Sequence, residues 1–236
     1  MADPSPPRRE PTAHERTQHR QSQLKRYFQR WLTRRSMDEI FPDIYLGGSY
    51  AAESIPSLTA AKITFVLSIM SKNLPPSTRE AYMNHRIQHV FIKKYDESGE
   101  DLLAILPEAC RVIEESRARG AGVLVHCAMG VSRSASVVVA YVMQRWGISP
   151  TEALTFVRGK RYVVSPNRGF LEQLEVWREC GYDVFSKIRV DGQRVPKEAY
   201  RRWLKRVEEM RAEEEREAAA QNGDGDADED SGAQAS

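Results

Sequence analysis

Cys127 and Arg133 stand six positions apart in the run His126-Cys127-Ala128-Met129-Gly130-Val131-Ser132-Arg133-Ser134. A thiolate is a strong nucleophile, and a guanidinium offers a planar fork to two oxygens of a phosphate. The spacing alone is a weak signal, since any fixed residue recurs by chance about once in 20 positions. Its surroundings sharpen it. The apolar stretch Gly122-Val123-Leu124-Val125 leads in, Gly130 lies three residues past the cysteine, Ser134 follows the arginine, and a helical pattern leads out. Neither Cys110 nor Cys180 has an arginine six residues later. A tight loop between a strand and a helix turns its N–H groups inward as an anion nest, and the helix N-terminus behind it adds positive potential. His126, Ala128, Met129, Gly130, Val131, Ser132 and Arg133 are therefore expected to cradle a phosphate, with Gly130 supplying the backbone freedom. The same field favours a thiolate, so Cys127 should ionise well below the ordinary value of about 8.5. It would then attack phosphorus in line and leave a phosphocysteine. Ser134 is placed to donate to the sulfur when it leaves, and His126 to orient the loop rather than to move protons.

The leaving oxygen needs a proton. A second segment, Asp96-Glu97-Ser98-Gly99-Glu100-Asp101-Leu102, carries four carboxyl groups able to act as general acid and then as base for the attacking water. Position alone does not choose among Asp96, Glu97, Glu100 and Asp101. Arg161 and Arg168 flank the expected pocket, either to meet a second negative group on the substrate or as solvated surface charge.

These residues need a scaffold, and the chain alternates strand and helix signals. Residues 44–46 before Gly47-Gly48, 63–69, 89–93 and 122–126 read as strands, the last as a central one buried on both faces. Pro107 opens a helix that ends near Gly120. Another runs from Ser132 to Trp146 and stops at Gly147. Ser149-Pro150-Thr151-Glu152 starts a third, and Asn167 a fourth that carries Phe170, Leu171, Leu174 and Trp177 inward and ends at Gly181. The expected fold is α/β: a central, mostly parallel twisted sheet of about five strands with helices on both faces. Ligands bind such sheets at the carboxyl ends of the strands, where Cys127 falls.

Residues 1–36 are basic and Pro-rich, read as disordered apart from an amphipathic helix near 22–35 built on Leu24, Tyr27, Phe28, Trp31 and Leu32. Ser36 and Glu39 have capping-box spacing for a new helical segment. Residues 37–183 form the expected catalytic domain. Residues 184–196 read as a connector and 197–220 as a charged helix with Tyr200, Trp203, Leu204, Val207 and Met210 on one side. Residues 221–236 read as a disordered acidic tail.

At this point the chain resembles a known family, the dual-specificity phosphatases of the protein-tyrosine-phosphatase superfamily. The resemblance covers roughly residues 37–183. It is carried by Ile44-Tyr45-Leu46-Gly47-Gly48, the 96–102 segment, the 126–134 run, Ala140-Tyr141-Val142-Met143 and Ser165-Pro166-Asn167-Arg168-Gly169-Phe170-Leu171-Glu172-Gln173-Leu174. It implies a protein-tyrosine-phosphatase-like fold and hydrolysis of phosphotyrosine and phosphoserine/threonine in proteins, with no metal and no cofactor. In the acid segment the family's pattern implies Asp96 as the acid and makes Asp101 a turn or capping residue. The chain is similar to small, "atypical" members, without a rhodanese-like docking region before residue 37 or the cysteines of a zinc-binding extension.

Composition bounds the alternatives. Lys and Arg total 35 against 33 Asp and Glu, a net charge of +2, so no nucleic-acid partner is expected. No apolar run approaches the ~20 residues of a membrane span. An odd count of 3 cysteines without a CxxC pair or signal peptide points to a reducing compartment, cytosol or nucleus. The expected partner is a phosphoprotein substrate, a protein kinase among the candidates. Competing readings are a non-protein phosphate ester (a phosphoinositide, a phosphorylated glucan or an RNA 5′ end) and a phospho-dependent binding module without turnover. Ala128, Met129, Val131 and Ser132 add no positive charge to the loop, which speaks against a highly charged headgroup. Retention of both Cys127 and Arg133 speaks against the binding module.

Overall fold

The computed structural model describes residues 37–223. The basic N-terminal segment with its expected helix, and the acidic tail beyond 223, lie outside them.

A five-stranded sheet has the order β1-β2-β5-β3-β4. Its strands are β1 (Met37–Phe41), β2 (Ile44–Gly47), β3 (Ile63–Met70), β4 (Gln88–Lys93) and β5 (Gly122–His126). β2, β5, β3 and β4 run parallel, while β1 pairs antiparallel with β2 at one edge. Met37–Phe41 therefore corrects the helical start expected at Ser36. Asp43 takes a positive φ of 68° in the turn, and the Glu39 carboxylate accepts from the Asp43 N–H at 3.2 Å instead of capping a helix.

Alternation along the strands divides the core in two. Phe65, Leu67 and Ile69 of β3 with Val123 and Val125 of β5 face the larger core. Val66 and Leu124 face the smaller one. Three short helices cover the smaller side: α1 (Ser49–Glu53), α2 (Ile55–Ala60) and α3 (Pro76–Asn84). Leu58 and Tyr82 pack there, and the Tyr82 hydroxyl donates to the Ala52 carbonyl at 2.6 Å.

The larger side carries α4 (Leu106–Ala118), α5 (Arg133–Trp146), α6 (Pro150–Lys160) and α7 (Arg168–Glu179). Every residue of α5 from Arg133 to Met143 is buried, as suits a helix enclosed by neighbours on all sides. Gly147 ends it at φ 66°. Ser149 and Glu152 form the reciprocal capping box that starts α6, and the Asn167 side chain accepts from the Phe170 N–H to start α7.

Residues 184–196 depart from the expected connector. They form a hairpin, β6 (Phe185–Val190) with β7 (Gln193–Pro196), turning through Asp191 and Gly192 at positive φ. The last helix, α8 (Glu198–Gly223), packs beside α7. Its buried stripe is Tyr200 and Trp203, with Val207 partly buried, and Leu204 and Met210 are exposed. The stripe is narrower than the spacing predicts because beyond Val207 the helix meets the domain through the polar Arg211 rather than through apolar side chains. Among the described residues no helix is long and apolar enough to cross a membrane.

Candidate active site

β5 is buried along its whole length between β2 and β3, and it delivers Cys127 to the carboxyl end of the sheet. Residues 127–132 then turn tightly into α5. Each carbonyl of this loop has a donor outside the cradle. His126 Nδ1 serves Cys127 at 3.2 Å, and the Ser49 N–H serves Ala128 at 3.2 Å. Arg161 holds two: its Nη2 donates to Met129 at 3.1 Å and its Nε to Gly130 at 3.0 Å. The Ser165 N–H serves Val131 at 2.9 Å, and the Ser136 N–H and hydroxyl both serve Ser132 at 2.8 Å. With the carbonyls tied outward, the N–H groups turn inward, and that of Gly130 lies 3.2 Å from the Cys127 sulfur. This is the geometry of an anion nest.

Gly130 shows why glycine is needed there. Its φ is 67°, and a Cβ would meet the Gly47 carbonyl oxygen at 2.4 Å. A left-handed backbone and a backbone-to-backbone approach coincide at one residue.

Cys127 is 1% exposed. Burial alone pushes its thiol up, yet the net shift is downward. The Ser134 hydroxyl and N–H, the Arg133 charge and the Met129 N–H together outweigh desolvation. The Ser134 hydroxyl is fully buried with no hydrogen-bond partner of its own, and it favours the ionised form of the neighbouring sulfur. At Cys110 burial acts alone, and at Cys180 it outweighs the Tyr200 N–H and the Lys197 charge, so both thiols are pushed up.

His126 is completely buried, and desolvation lowers it to about 4. It is neutral near pH 7, and its partners dictate its tautomer. Nδ1 donates to Cys127, so Nε2 accepts from the Ser68 hydroxyl at 2.6 Å; Ser68 in turn meets His89 Nε2 at 2.8 Å. This chain fixes the His126 ring against the first carbonyl of the loop.

Arg133 is 7% exposed, and its Nη1 donates to the Lys94 carbonyl at 3.1 Å. Its Nε lies 3.6 Å from Asp96 Oδ2. Asp96 Oδ1 accepts from the Ser132 hydroxyl at 2.6 Å and from Asn167 Nδ2 at 3.0 Å. Asp96 thus sits over the end of the 127–132 loop, beside the Arg133 guanidinium.

The other three carboxyl groups of the segment are placed elsewhere. Glu100 pairs with Lys94 at 2.8 Å and accepts from the Tyr95 N–H at 3.2 Å. Asp101 accepts from the Ala104 N–H at 3.0 Å and from the Tyr200 hydroxyl at 2.5 Å. Glu97 is exposed and has no side-chain partner among the described residues.

Two residues of the site, Asn167 and Gln173, carried no functional sign of their own in the sequence. Asn167 and Ser132 hold Asp96, and the Asn167 N–H also donates to Ser132 Oγ at 3.1 Å. Gln173, 1% exposed, accepts from the Leu102 N–H at 2.8 Å and donates to the Glu100 carbonyl at 2.9 Å. Arg161 is neither a substrate contact nor a solvated charge. It is 2% exposed and braces the loop while pairing with Asp38. Arg168 is 91% exposed and pairs with Glu172.

Residues 44–180 match the family model described as dual specificity phosphatase, catalytic domain, over more than half of the chain. The chain belongs to the dual-specificity phosphatase family. Among curated proteins it is 37% identical over 139 residues to protein phosphatase Slingshot homolog 3 of Mus musculus, covering 59% of this chain and 20% of that protein. It is 32% identical over 168 residues to tyrosine-protein phosphatase yvh1 of Schizosaccharomyces pombe, covering 71% of this chain and 46% of that protein. The chain thus spans less than half of either relative. The crystal structure of human DUSP28 superposes with a TM-score of 0.54 at 30% identity, covering 61% of this chain and 93% of that one. The shared region is the dual-specificity phosphatase catalytic fold; the 44–180 match stops before the hairpin and α8.

Proposed function

We propose that the chain hydrolyses phosphate monoesters on proteins, at tyrosine and at serine or threonine, through a phosphocysteine on Cys127. The carrying observation is the 127–132 loop, with its carbonyls fastened outward around a buried cysteine whose thiol is shifted down.

In the first step the Cys127 thiolate attacks phosphorus. The S–P bond forms, the P–O ester bond breaks, and the leaving oxygen takes the Asp96 proton. Arg133 and the inward N–H groups hold the non-bridging oxygens, where charge is shared in the transition state. In the second step water attacks phosphorus and gives its proton to the Asp96 carboxylate. The S–P bond breaks, and the departing thiolate accepts the Ser134 hydrogen bond. No cofactor enters either step. The loop side chains of Ala128, Met129, Val131 and Ser132 carry no charge, which suits a single phosphoryl group on a protein, a protein kinase being one candidate substrate. A reducing compartment, cytosol or nucleus, would keep the thiol available.

Turnover of para-nitrophenyl phosphate and of phosphotyrosyl and phosphothreonyl peptides tests this reading. Cys127→Ser should abolish turnover of all three. Asp96→Asn should cost about 100-fold or more on the peptides, the usual worth of a general acid. Undiminished turnover by Cys127→Ser would overturn the assignment.

A further inference from the structure

The Asp96 segment is held at more points than its own fold requires, and two of them come from α8. Arg211 Nη2 donates to the Gly99 carbonyl at 2.8 Å, and the Tyr200 hydroxyl donates to the Asp101 carboxylate at 2.5 Å. Tyr200 is buried and stacks on Trp203 at 6.2 Å between ring centroids, so its hydroxyl is aimed rather than free to swing. The neighbouring helix α7 also closes on the same segment. A Cβ on Gly169 would stand 2.0 Å from the Ser98 carbonyl oxygen, so the segment rests directly on the helix backbone. Ser98 and Gly99 thereby each touch a helix, two and three residues from Asp96.

We infer that α8 is a catalytic brace: Tyr200 and Arg211 are positioning residues that hold the 96–101 segment so that the Asp96 carboxyl meets the leaving oxygen. The inference rests on the proposed role of Asp96. Asp96 itself is 38% exposed, and among the described residues its side chain is held by Ser132 and Asn167 with the Arg133 charge beside it. Its backbone is therefore set by what grips residues 98–101. α8 also makes contacts of a different kind. Arg202 pairs with Glu179 and Arg206 with Glu172, both on α7 and neither on the acid segment. These furnish an internal control on the same helix.

The test separates protonation from the rest of catalysis by leaving group. A phosphotyrosyl peptide leaves as a phenolate of pKa about 10 and needs the acid. Para-nitrophenyl phosphate has a far less basic leaving group and needs it little. The full chain carrying Tyr200→Phe with Arg211→Ala keeps the aromatic ring and removes only the two grips. Its kcat/KM on the peptide, which ends at leaving-group departure and so excludes the hydrolysis step common to both substrates, should fall roughly 10-fold, within the range that displacement of a catalytic group by about 1 Å can cost. On para-nitrophenyl phosphate the change should stay under about twofold, because the general acid supplies little there. Arg202→Ala should leave both rates at the wild-type level, and Asp96→Asn should cost less in the double variant than in the wild-type chain. Equal losses on both substrates, the same loss in Arg202→Ala, or no loss on the peptide would each overturn the brace. Cys127→Ser and Asp96→Asn run beside it. If Cys127→Ser turns over, or Asp96→Asn is silent on the peptide, the proposed chemistry fails and takes the brace with it. If both behave as proposed and the double variant matches wild type, the brace alone is wrong.

Discussion

Replacing Arg161 with alanine should loosen the phosphate loop and the whole fold together. Its guanidinium donates to the Gly130 and Met129 carbonyls and pairs with Asp38, while being 2% exposed. A hydrogen bond to a charged group is worth about 1.5–3 kcal/mol net, so leaving two carbonyls without a donor costs roughly 3–6 kcal/mol before water enters the gap. Asp38 is 39% exposed, so its pair adds at most about 1 kcal/mol. Water reaching the vacated space offsets part of this, and a net loss of about 4 kcal/mol is expected. For a domain of this size that lowers Tm by roughly 8–16 °C. The carbonyls so released can turn into the cradle, and kcat/KM for para-nitrophenyl phosphate should drop about 100-fold. Arg161→Lys, with one compact ammonium in place of a fork, should recover about half of the stability. Thermal unfolding by circular dichroism and steady-state kinetics read both effects. A Tm within about 2 °C of wild type, with a rise in KM only for a doubly phosphorylated peptide, would refute the bracing role and return Arg161 to the substrate.

Three further outcomes follow from the same geometry. Gly169→Ala places a Cβ against the Ser98 backbone, so the acid segment must move; turnover of phosphotyrosyl peptide should fall more than turnover of para-nitrophenyl phosphate, and equal rates would contradict the contact. Iodoacetamide with peptide mapping between pH 6 and 7 should label Cys127 ahead of Cys110 and Cys180, because the first thiol is shifted down and the other two up. His126 is held near 4 in the folded chain against about 6.5 unfolded, so the unfolded state binds more protons between those values and stability falls as pH drops through that window, by about 3 kcal/mol at pH 4. Urea midpoints of wild type and His126→Gln across pH 4–7 check this, and a variant that keeps the full slope would contradict it.

The parts of the site legible in the sequence are those that lie close together along the chain. Cys127, Gly130, Arg133 and Ser134 share one strand–loop–helix unit, and the spacing together with the apolar lead-in and the helical lead-out suggests the nest. Residues that meet through the fold left no such mark. Asp96 joins Ser132 across 36 positions and Asn167 across 71, and Gln173 reaches Leu102 across 71. The family resemblance, not the spacing, selected Asp96. Arg161 was open to misreading because a buried arginine and a surface one look alike until the loop carbonyls are seen to need a donor. Local signals also misled at the edges. The Ser36–Glu39 spacing fits a helix start, yet pairing with β2 makes Met37–Phe41 a strand. Residues 184–196 have little apolar alternation because the hairpin is mostly exposed. Leu204 and Met210 share the helical period of Tyr200 and Trp203, but α8 runs past the surface that would have covered them.

The account stands most directly on the covalent intermediate. Phosphotyrosyl peptide labelled at phosphorus, mixed with the full chain and quenched in acid within the first turnover, should leave the label on the peptide that contains Cys127, with longer-lived label in Ser134→Ala, whose sulfur leaves more slowly. Label on another residue, or rapid hydrolysis with no protein-bound phosphate and full activity in Cys127→Ser, would contradict it.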